Sequence, residues 1–448
     1  MGGWRGATRA VVVALALLSV LLPSAALGSS LVVISGHGWG HGIGLSQWGA
    51  EGYARHGWGF KRVLAHYYPH TTIGSAPPQP VRVLLADSKT KVAIGSARPF
   101  VLVDARGRTI HVPARALRLT ARLRFGKNVL VPPITFDAGA APLTFDGAGY
   151  RGSLTLERTA GHLAVVNTLP LERYLRGVVP SEMPVDWSPA AYKAQAIAAR
   201  SYTLASLNPA ATFDVYADTR SQAYGGIASE RPETDLAVGA TSGKVLTYDD
   251  RVIAAYYDSD SGGRTAAVQD AISGHAPEPY LVSVSDPFDR IDPHHNWRVA
   301  LSSAQLSRRF DMPVADVRVQ LNPSGRASSV SLLAGTRTRT LAAADFSSAL
   351  SLRSTYLTIG VASLTASRSH ARAGHPVALR GFLRGLVGVV LQRRTPSGAW
   401  VHVRHVVASR SGRFVATVRP RVTTKYRLAV DRIAGPAVEV DVVAPHRG

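Results

Sequence analysis

The sequence predicts a β-rich α+β protein, in which a mixed domain with few helices precedes a C-terminal all-β sandwich. Hydrophobic and polar residues alternate through residues 80–165 with the two-residue period of strands. Five short β-rich segments, separated by turn residues, fill residues 366–446. Clear helical spacing is confined to residues 188–204 and 51–66.

The first 28 residues have the pattern of a secretory signal. Two arginines precede an apolar run at residues 11–22, and small residues follow, which suits cleavage near Ala26 or Gly28. The run is short for a permanent transmembrane helix, although an uncleaved membrane anchor is the alternative. We therefore expect a secreted protein that meets a membrane only through this segment, if it stays uncleaved.

The mixed domain is expected over residues 31–360. Its strand-like segments include residues 81–85, 100–103 and 154–156. The clearest helix begins at Ser188, a favourable N-cap, with Pro189 at the first helical position. A second helical candidate runs from Glu51 to His66.

The C-terminal region, residues 366–446, is expected to be a separate accessory sandwich without a cluster of acidic or basic catalytic residues. Its predicted strands are residues 377–381, 389–393, 400–403, 414–418 and 426–430.

Composition limits the possible chemistry. The 448-residue chain has no cysteine, which excludes disulfides, thiolate metal sites and a cysteine nucleophile. Its net charge of +22 favours polyanionic partners, and outside a membrane the common polyanion is the cell wall. Arginine use in a GC-rich genome is the alternative explanation. No nucleic-acid-binding motif is present, so we expect no nucleic-acid partner.

Glu182 is the leading candidate for an acid/base residue. It lies between two prolines in the segment VVPSEMP, residues 178–184. The prolines stiffen the backbone, and the apolar neighbours disfavour the carboxylate, which raises the pKa towards the value that a general acid needs. An ordinary loop glutamate approaching a helix N-terminus is the alternative.

Residues 36–50 form a second candidate region, GHGWGHGIGLSQWGA. The glycines allow close backbone approach and disfavour a regular helix, whereas His, Trp, Ser and Gln suit contacts with a sugar-like ligand. His37 and His41 are four residues apart, but no acidic ligand is close to them in the sequence. A second group, Asp292 with His294 and His295, also has too few ligands for a metal site. We therefore expect no metal and no cofactor.

Two polar turns follow apolar segments, where binding loops commonly occur. They read SQAYGG at residues 221–226 and YYDSDSGGR at residues 256–264. Neither has a phosphate-loop or dinucleotide-binding spacing, and the serine-hydrolase elbow Gly-x-Ser-x-Gly is not present in the sequence.

Together these segments resemble the SpoIID/LytB family of peptidoglycan proteins over roughly residues 31–360. The five matching blocks are NTLPLERYL (167–175) running into VPSEMP (179–184), KAQAIAARSY (193–202), SQAYGG (221–226), SDSGG (259–263) and GWGHGIGLSQWGA (38–50). The resemblance does not include the C-terminal region, which is then expected to be an accessory or wall-binding module.

The resemblance implies a lytic transglycosylase that cleaves MurNAc–GlcNAc bonds in peptidoglycan glycan strands and forms anhydro-MurNAc. Glu182 falls on the family's catalytic glutamate. It would protonate the bridging oxygen and then act as a base towards the MurNAc 6-hydroxyl, so that a second carboxylate is not required. The implied substrate-binding residues are His41, Gln47, Arg200, Gln222, Tyr224, Ser259 and Ser261.

Two other functions remain open. Family members described as amidase enhancers imply a non-catalytic activator of a cell-wall amidase, or a wall-binding scaffold. A plain glycoside hydrolase that uses water as nucleophile would leave reducing ends. Some family members bind zinc partly through cysteine, which this chain lacks, so we expect no such site.

The order of the blocks differs from the family's usual order. The glycine-rich block normally follows the glutamate block, but here it comes first, and LRSTYLTI (352–359) resembles the segment that normally leads into it. This resembles a circular permutation, which requires residues 31–35 to lie close to residues 355–360. It also predicts that His41 and Gln47 share the cleft of Glu182.

Overall fold

The computed structural model describes residues 30–443. Within that range the chain forms 31 strands and eight α-helices, which confirms a β-rich α+β fold. The predicted signal segment, residues 1–28, lies outside the described residues. None of the helices between residues 30 and 443 has the length and apolar character needed to span a membrane.

The α-helices are α1 (Gln47–Arg55), α2 (Phe60–Tyr67), α3 (Leu171–Glu182), α4 (Pro189–Ala205), α5 (Pro232–Ala240), α6 (Val268–Ala271), α7 (Ser303–Phe310) and α8 (Ala343–Ala349). The strands are β1 (Ser30–His37), β2 (Leu45–Ser46), β3 (Thr72–Ser75), β4 (Pro80–Lys89), β5 (Lys91–Gly95), β6 (Phe100–Val103), β7 (Thr109–Val112), β8 (Ala116–Thr120), β9 (Arg124–Phe125), β10 (Asn128–Val129), β11 (Ile134–Asp137), β12 (Leu143–Phe145), β13 (Ala148–Tyr150), β14 (Ser153–Thr159), β15 (His162–Pro170), β16 (Val215–Tyr216), β17 (Lys244–Tyr248), β18 (Arg251–Val252), β19 (Tyr257–Asp258), β20 (Asn296–Ser302), β21 (Asp316–Leu321), β22 (Ala327–Ala334), β23 (Arg337–Ala342), β24 (Leu357–Ala366), β25 (His370–Arg372), β26 (Val377–Arg384), β27 (Val390–Arg394), β28 (Trp400–His405), β29 (Arg413–Val418), β30 (Thr424–Val430) and β31 (Ile433–Val443).

Strand β1 lies inside a five-stranded sheet of order β20-β1-β24-β26-β29. It pairs antiparallel with both neighbours, and Ser35 lies opposite Thr358 of β24. The His37 N–H donates to the Tyr356 carbonyl at 2.9 Å. The prediction that residues 31–35 lie beside residues 355–360 is therefore confirmed.

The C-terminal sandwich forms when this sheet packs against a second sheet of order β25-β31-β30-β27-β28. Strands β26 to β30 cover the five segments that the sequence predicts as strands. The sequence boundary at residue 366, however, does not divide the structure, because β24 ends there while pairing with both β1 and β26. Two strands of the mixed domain thus help to build the sandwich.

The helices gather around α4, which begins at Pro189 as the sequence predicts. The Ser188 side chain makes no capping bond; instead the Ser188 N–H donates to the Glu51 carboxylate of α1 at 2.8 Å. This carboxylate at a helix N-terminus ties the early helices to α4.

The single helix expected from Glu51 to His66 is wrong in detail. Two helices form, and Gly57 at φ +80° lies between them.

A seven-stranded sheet of order β16-β4-β15-β14-β11-β6-β7 supplies the second large sheet of the mixed domain. Its strand β15 ends at Pro170, and α3 begins at the next residue. The sheet therefore fixes where α3 starts and, eleven residues later, where Glu182 lies.

The register between β1 and β24 can be tested with a cysteine pair, because the natural chain contains no cysteine. We expect the Ser35→Cys/Thr358→Cys variant to form an intramolecular disulfide on oxidation, since directly opposed residues of antiparallel strands lie within bridging distance. Non-reducing electrophoresis and free-thiol counting would measure this. The control pair Ser35→Cys/Thr365→Cys should remain reduced, and equal oxidation of both pairs would contradict the register.

Candidate functional site

Glu182 is the last residue of α3, rather than a loop residue before a helix. The chain becomes extended at Met183, and Pro184 follows, so the helix cannot continue. The side chain is largely buried. Its orientation is therefore set by a helix terminus instead of by a free loop.

Donors from three distant segments reach the Glu182 carboxyl group. The Ala223 N–H donates to Oε1 at 2.6 Å, and Gln47 Nε2 donates to Oε2 at 3.2 Å. The Tyr257 hydroxyl is a third hydrogen-bond partner. The expected proximity of Gln47 and Glu182 is confirmed by this contact.

Burial raises the pKa of Glu182 above its usual value, and the hydrogen bonds from Ala223, Gln47 and Tyr257 only partly oppose this effect. The C-terminal end of α3 carries partial negative charge, which also disfavours a carboxylate there. Among the described residues, no second carboxylate contributes to the shift. The result is a single, oriented carboxyl group that holds its proton to higher pH than an exposed glutamate.

Gln222 is a buried residue that contacts Glu182 indirectly, through Tyr257. It is 1% exposed, and its Nε2 donates to Thr203 Oγ1 at 2.8 Å and to the Tyr174 hydroxyl at 3.3 Å. Its Oε1 is thereby turned to accept from the Tyr257 hydroxyl at 2.9 Å. Because Tyr257 has one hydroxyl proton, it donates either to Gln222 or to the ionised Glu182. Gln222 is therefore a positioning residue in this structure, whereas the sequence predicts a substrate contact.

Tyr224 has a similar supporting place. Its hydroxyl donates to Asn167 Oδ1 at 2.9 Å, and its buried ring packs against Tyr174 with the ring centroids 5.0 Å apart. These contacts hold the turn that presents the Ala223 N–H. The Tyr224 side chain is buried in the core, and its contact with substrate stays a prediction.

The glycine loop, residues 38–44, carries Gln47 to Glu182. Four of its glycines have positive φ, as expected for a segment that the sequence excludes from a helix. At Gly44, with φ +72°, a side chain would collide with the Tyr256 carbonyl. This close approach allows β2 to pair with β19, and α1 to start at Gln47.

His41 lies on the glycine loop with an exposed ring edge against Tyr256, at a centroid distance of 5.9 Å. Its Nδ1 accepts from the Ile43 N–H at 2.9 Å, so Nε2 carries the proton of the neutral ring. Surrounding protein atoms and the positive charge of Arg326 lower the pKa of His41, and a hydrogen bond with the main chain of Tyr257 partly opposes this. His41 also contacts the main chain of Tyr257, which links it to the Glu182 site.

Arg200 does not lie beside Glu182. Its guanidinium makes a bidentate ion pair with Glu172, with both bonds at 2.8 Å, and also donates to the Lys244 carbonyl. Glu172 and Glu182 are ten residues apart on α3, which corresponds to roughly 15 Å along a helix axis. Arg200 thus has a buried guanidinium that pairs with the partly exposed Glu172 at the other end of α3, and its contact with substrate stays a prediction.

The two serines of the SDSGG block also have structural contacts. The Ser259 carbonyl accepts from the Trp48 N–H at 3.0 Å, which joins the block to α1. Ser261 is fully buried, and its hydroxyl is 2.7 Å from Asp289 Oδ2 and 3.1 Å from Asp286 Oδ2. Ser261 therefore faces an acidic interior, and the substrate contact predicted for it does not occur at a surface.

Sequence reasoning missed Tyr257 and the Ala223 N–H as partners of Glu182. Both lie in turns that the sequence marks as polar and glycine-bearing, but a main-chain donor leaves no residue-specific signal. Two tryptophans meet edge to face, with the ring centroids of Trp48 and Trp187 4.7 Å apart. Trp48 is half-buried, whereas Trp187, five residues after Glu182, is buried in the core beyond the end of α3.

Residues 159–248 match the family model described as SpoIID, Stage II sporulation protein. The chain is 33% identical over 216 residues to the Amidase enhancer of Bacillus subtilis (strain 168), which covers 48% of this chain and 29% of that protein. It is 30% identical over 180 residues to Stage II sporulation protein D of Bacillus amyloliquefaciens. That alignment covers 36% of this chain and 51% of the relative. The chain spans about half the length, or less, of these relatives. No solved structure matches.

The raised pKa of Glu182 predicts how stability depends on pH. At pH values between the ordinary pKa of a glutamate and the raised pKa of Glu182, the folded protein binds more protons than the unfolded chain. The free energy of unfolding therefore falls as pH rises through this range. Glu182→Gln removes the titration. We expect the variant to unfold at higher urea concentration than the natural protein at pH 7, and at a similar concentration near pH 4. A natural protein that is more stable than the variant at pH 7 would contradict a raised pKa.

Proposed function

We propose that this chain is a lytic transglycosylase that cleaves MurNAc–GlcNAc bonds in peptidoglycan, because residues 159–248 match the SpoIID family model and the relatives include Stage II sporulation protein D. The observation that carries the proposal is the Glu182 carboxyl group, which is largely buried, has a raised pKa and is oriented by Ala223, Gln47 and Tyr257. Three of the five family blocks meet at this group, together with Tyr257, which lies two residues before a fourth block.

The first proposed step is proton donation from Glu182 to the glycosidic oxygen. The raised pKa keeps a larger fraction of the carboxyl group protonated near neutral pH than in an exposed glutamate. When Glu182 carries the proton, Tyr257 donates to Gln222, and its oxygen is free to accept from the acid. As the proton leaves, the donors already in place stabilise the carboxylate that forms.

The second proposed step uses the same carboxylate as a base. Glu182 takes the proton of the MurNAc 6-hydroxyl, and that oxygen bonds to C1 as the bond to the leaving GlcNAc breaks. The proton given in the first step is thus recovered, and no water is consumed. Hydrolysing glycosidases generally use a pair of carboxyl groups, whereas the proposed reaction needs Glu182 alone.

The site of action that we propose is the cell wall, after secretion. The net charge of +22 favours association with a polyanionic wall. The C-terminal sandwich is proposed as an accessory, wall-binding module. Peptidoglycan glycan strands are the expected substrate, and no cofactor is expected.

The proposal predicts the products of digesting purified sacculi, both intact and stripped of stem peptides. We expect anhydro-muramyl ends by mass spectrometry with the natural protein, and a loss of their formation of about 100-fold or more with Glu182→Gln. The matched control is Glu233→Gln, because Glu233 is an exposed carboxylate of the same domain on α5. Anhydro ends that persist with Glu182→Gln, or that form with neither substrate, would defeat the proposal. Reducing ends would instead identify a hydrolase that uses water.

The alternative function is activation of a cell-wall amidase, or a wall-binding scaffold without catalysis. The similarity to a protein named Amidase enhancer favours it. It predicts that a purified cell-wall amidase releases stem peptides faster when this protein is added, and that Glu182→Gln stimulates equally well. Stimulation that requires Glu182 would instead link the effect to cleavage of glycan strands.

A further inference from the structure

A buried group of ionisable side chains lies beneath the glycine loop. Each member is at most 8% exposed. This acidic cluster consists of Asp258, Asp260, Asp286, Asp289, Asp292, His295 and Arg326. The members come from the end of β19, the SDSGG block, the segment 286–295 and the turn before β22, and therefore meet only in the folded chain.

The acidic cluster has an excess of negative charge. It contains five carboxyl groups but only one guanidinium, that of Arg326, and one imidazole, that of His295. Even if the imidazole is protonated, three negative charges of the fully ionised cluster are unbalanced. Uncompensated buried charge is strongly unfavourable, so the folded protein needs bound protons or a cation at this place.

Asp289 shows where a cation would fit. Its Oδ2 is fixed by the Ser261 hydroxyl at 2.7 Å and the Gly263 N–H at 2.6 Å. Its Oδ1 is fully buried and has no hydrogen-bond donor among the described residues, yet lies 3.5 Å from His295 Nδ1. Asp260 Oδ2 lies 3.2 Å from the same nitrogen. One ligand atom from each of these three residues lies within 4.8 Å of the other two.

We propose that Asp260, Asp289 and His295 bind a divalent transition-metal cation. A ligand set of two carboxylate oxygens and one imidazole nitrogen suits Zn²⁺ or Mn²⁺ better than Ca²⁺ or Mg²⁺, which prefer all-oxygen sites. The hydrogen bonds from Ser261 and Gly263 to Asp289 are the kind of support that orients metal ligands. The sequence predicts no metal site, because these ligands are separated by up to 35 residues.

The cation would join the glycine loop to the body of the protein. The Gly38 N–H donates to the His295 carbonyl, and the Trp39 N–H donates to the Asp260 carbonyl, both at 2.8 Å. Two ligands of the proposed cation thus hold the loop that leads to His41 and Gln47. The proposed role is structural, and it does not depend on the reaction proposed for Glu182.

The test uses the purified protein after export, without a metal-affinity tag. Elemental analysis should find close to one equivalent of zinc or manganese per chain. After chelation, titration with Zn²⁺ or Mn²⁺ should raise the Tm by a few degrees with saturation, and Ca²⁺ and Mg²⁺ should have smaller effects. Asp289→Asn and His295→Gln should each abolish the response, whereas Asp345→Asn, at an exposed carboxylate of α8, should retain it.

The variants also distinguish a cation from bound protons. Without cation, Asp289→Asn removes one buried negative charge and should be at least as stable as the natural protein. If protons alone balance the cluster, purified protein would contain no stoichiometric metal, and none of the four cations would shift the Tm. Either that result or an unchanged cation response in both variants would overturn the proposal. If Asp289→Asn does not fold, elemental analysis of the natural protein and the His295→Gln titration still decide the question.

Discussion

Strand β1 is the element on which the rest of this structure depends, because both of its faces are buried in different cores. Leu31 and Val33 point into the C-terminal sandwich, whereas Val32 and Ile34 pack among α7, α8 and the β21–β23 hairpins. The two-residue period of a strand thus divides one short apolar run between two hydrophobic clusters. Since β1 ends at His37, these two cores also fix where the glycine loop begins.

The geometry of the Glu182 site depends on where the glycine loop begins. The glycine loop crosses the acidic cluster and delivers Gln47 to a carboxyl group that α3 presents at its C-terminal end. Tyr257 and Gln222 complete the support from two other turns. Burial and orientation, rather than a neighbouring carboxylate, account for the altered acidity of Glu182.

Local sequence patterns predicted the parts of the structure that depend on local physics. Alternation predicted strands such as β4 and β6, and the Ser188–Pro189 pair predicted the start of α4. The resemblance to a known family predicted that Gln47 lies in the cleft of Glu182 and that residues 31–35 lie close to residues 355–360. The resemblance did not distinguish residues that would contact a ligand from residues that hold the site together inside the protein. Arg200, Gln222 and Ser261 are polar residues whose partners lie in distant segments, so burial could not be inferred from their neighbours in sequence.

The position of β1 also sets the order in which the molecule can mature. The Ser354 hydroxyl bonds to the His37 carbonyl across 317 residues of chain, and β1 cannot form its sheet until those late residues are available. Such distant pairing is slow to form because a long loop must close first. When the chain emerges from its N-terminus, β1 and the start of the glycine loop therefore reach their final pairing only after residues 354–363 are available. A segment that is made early is thus completed by one that is made late.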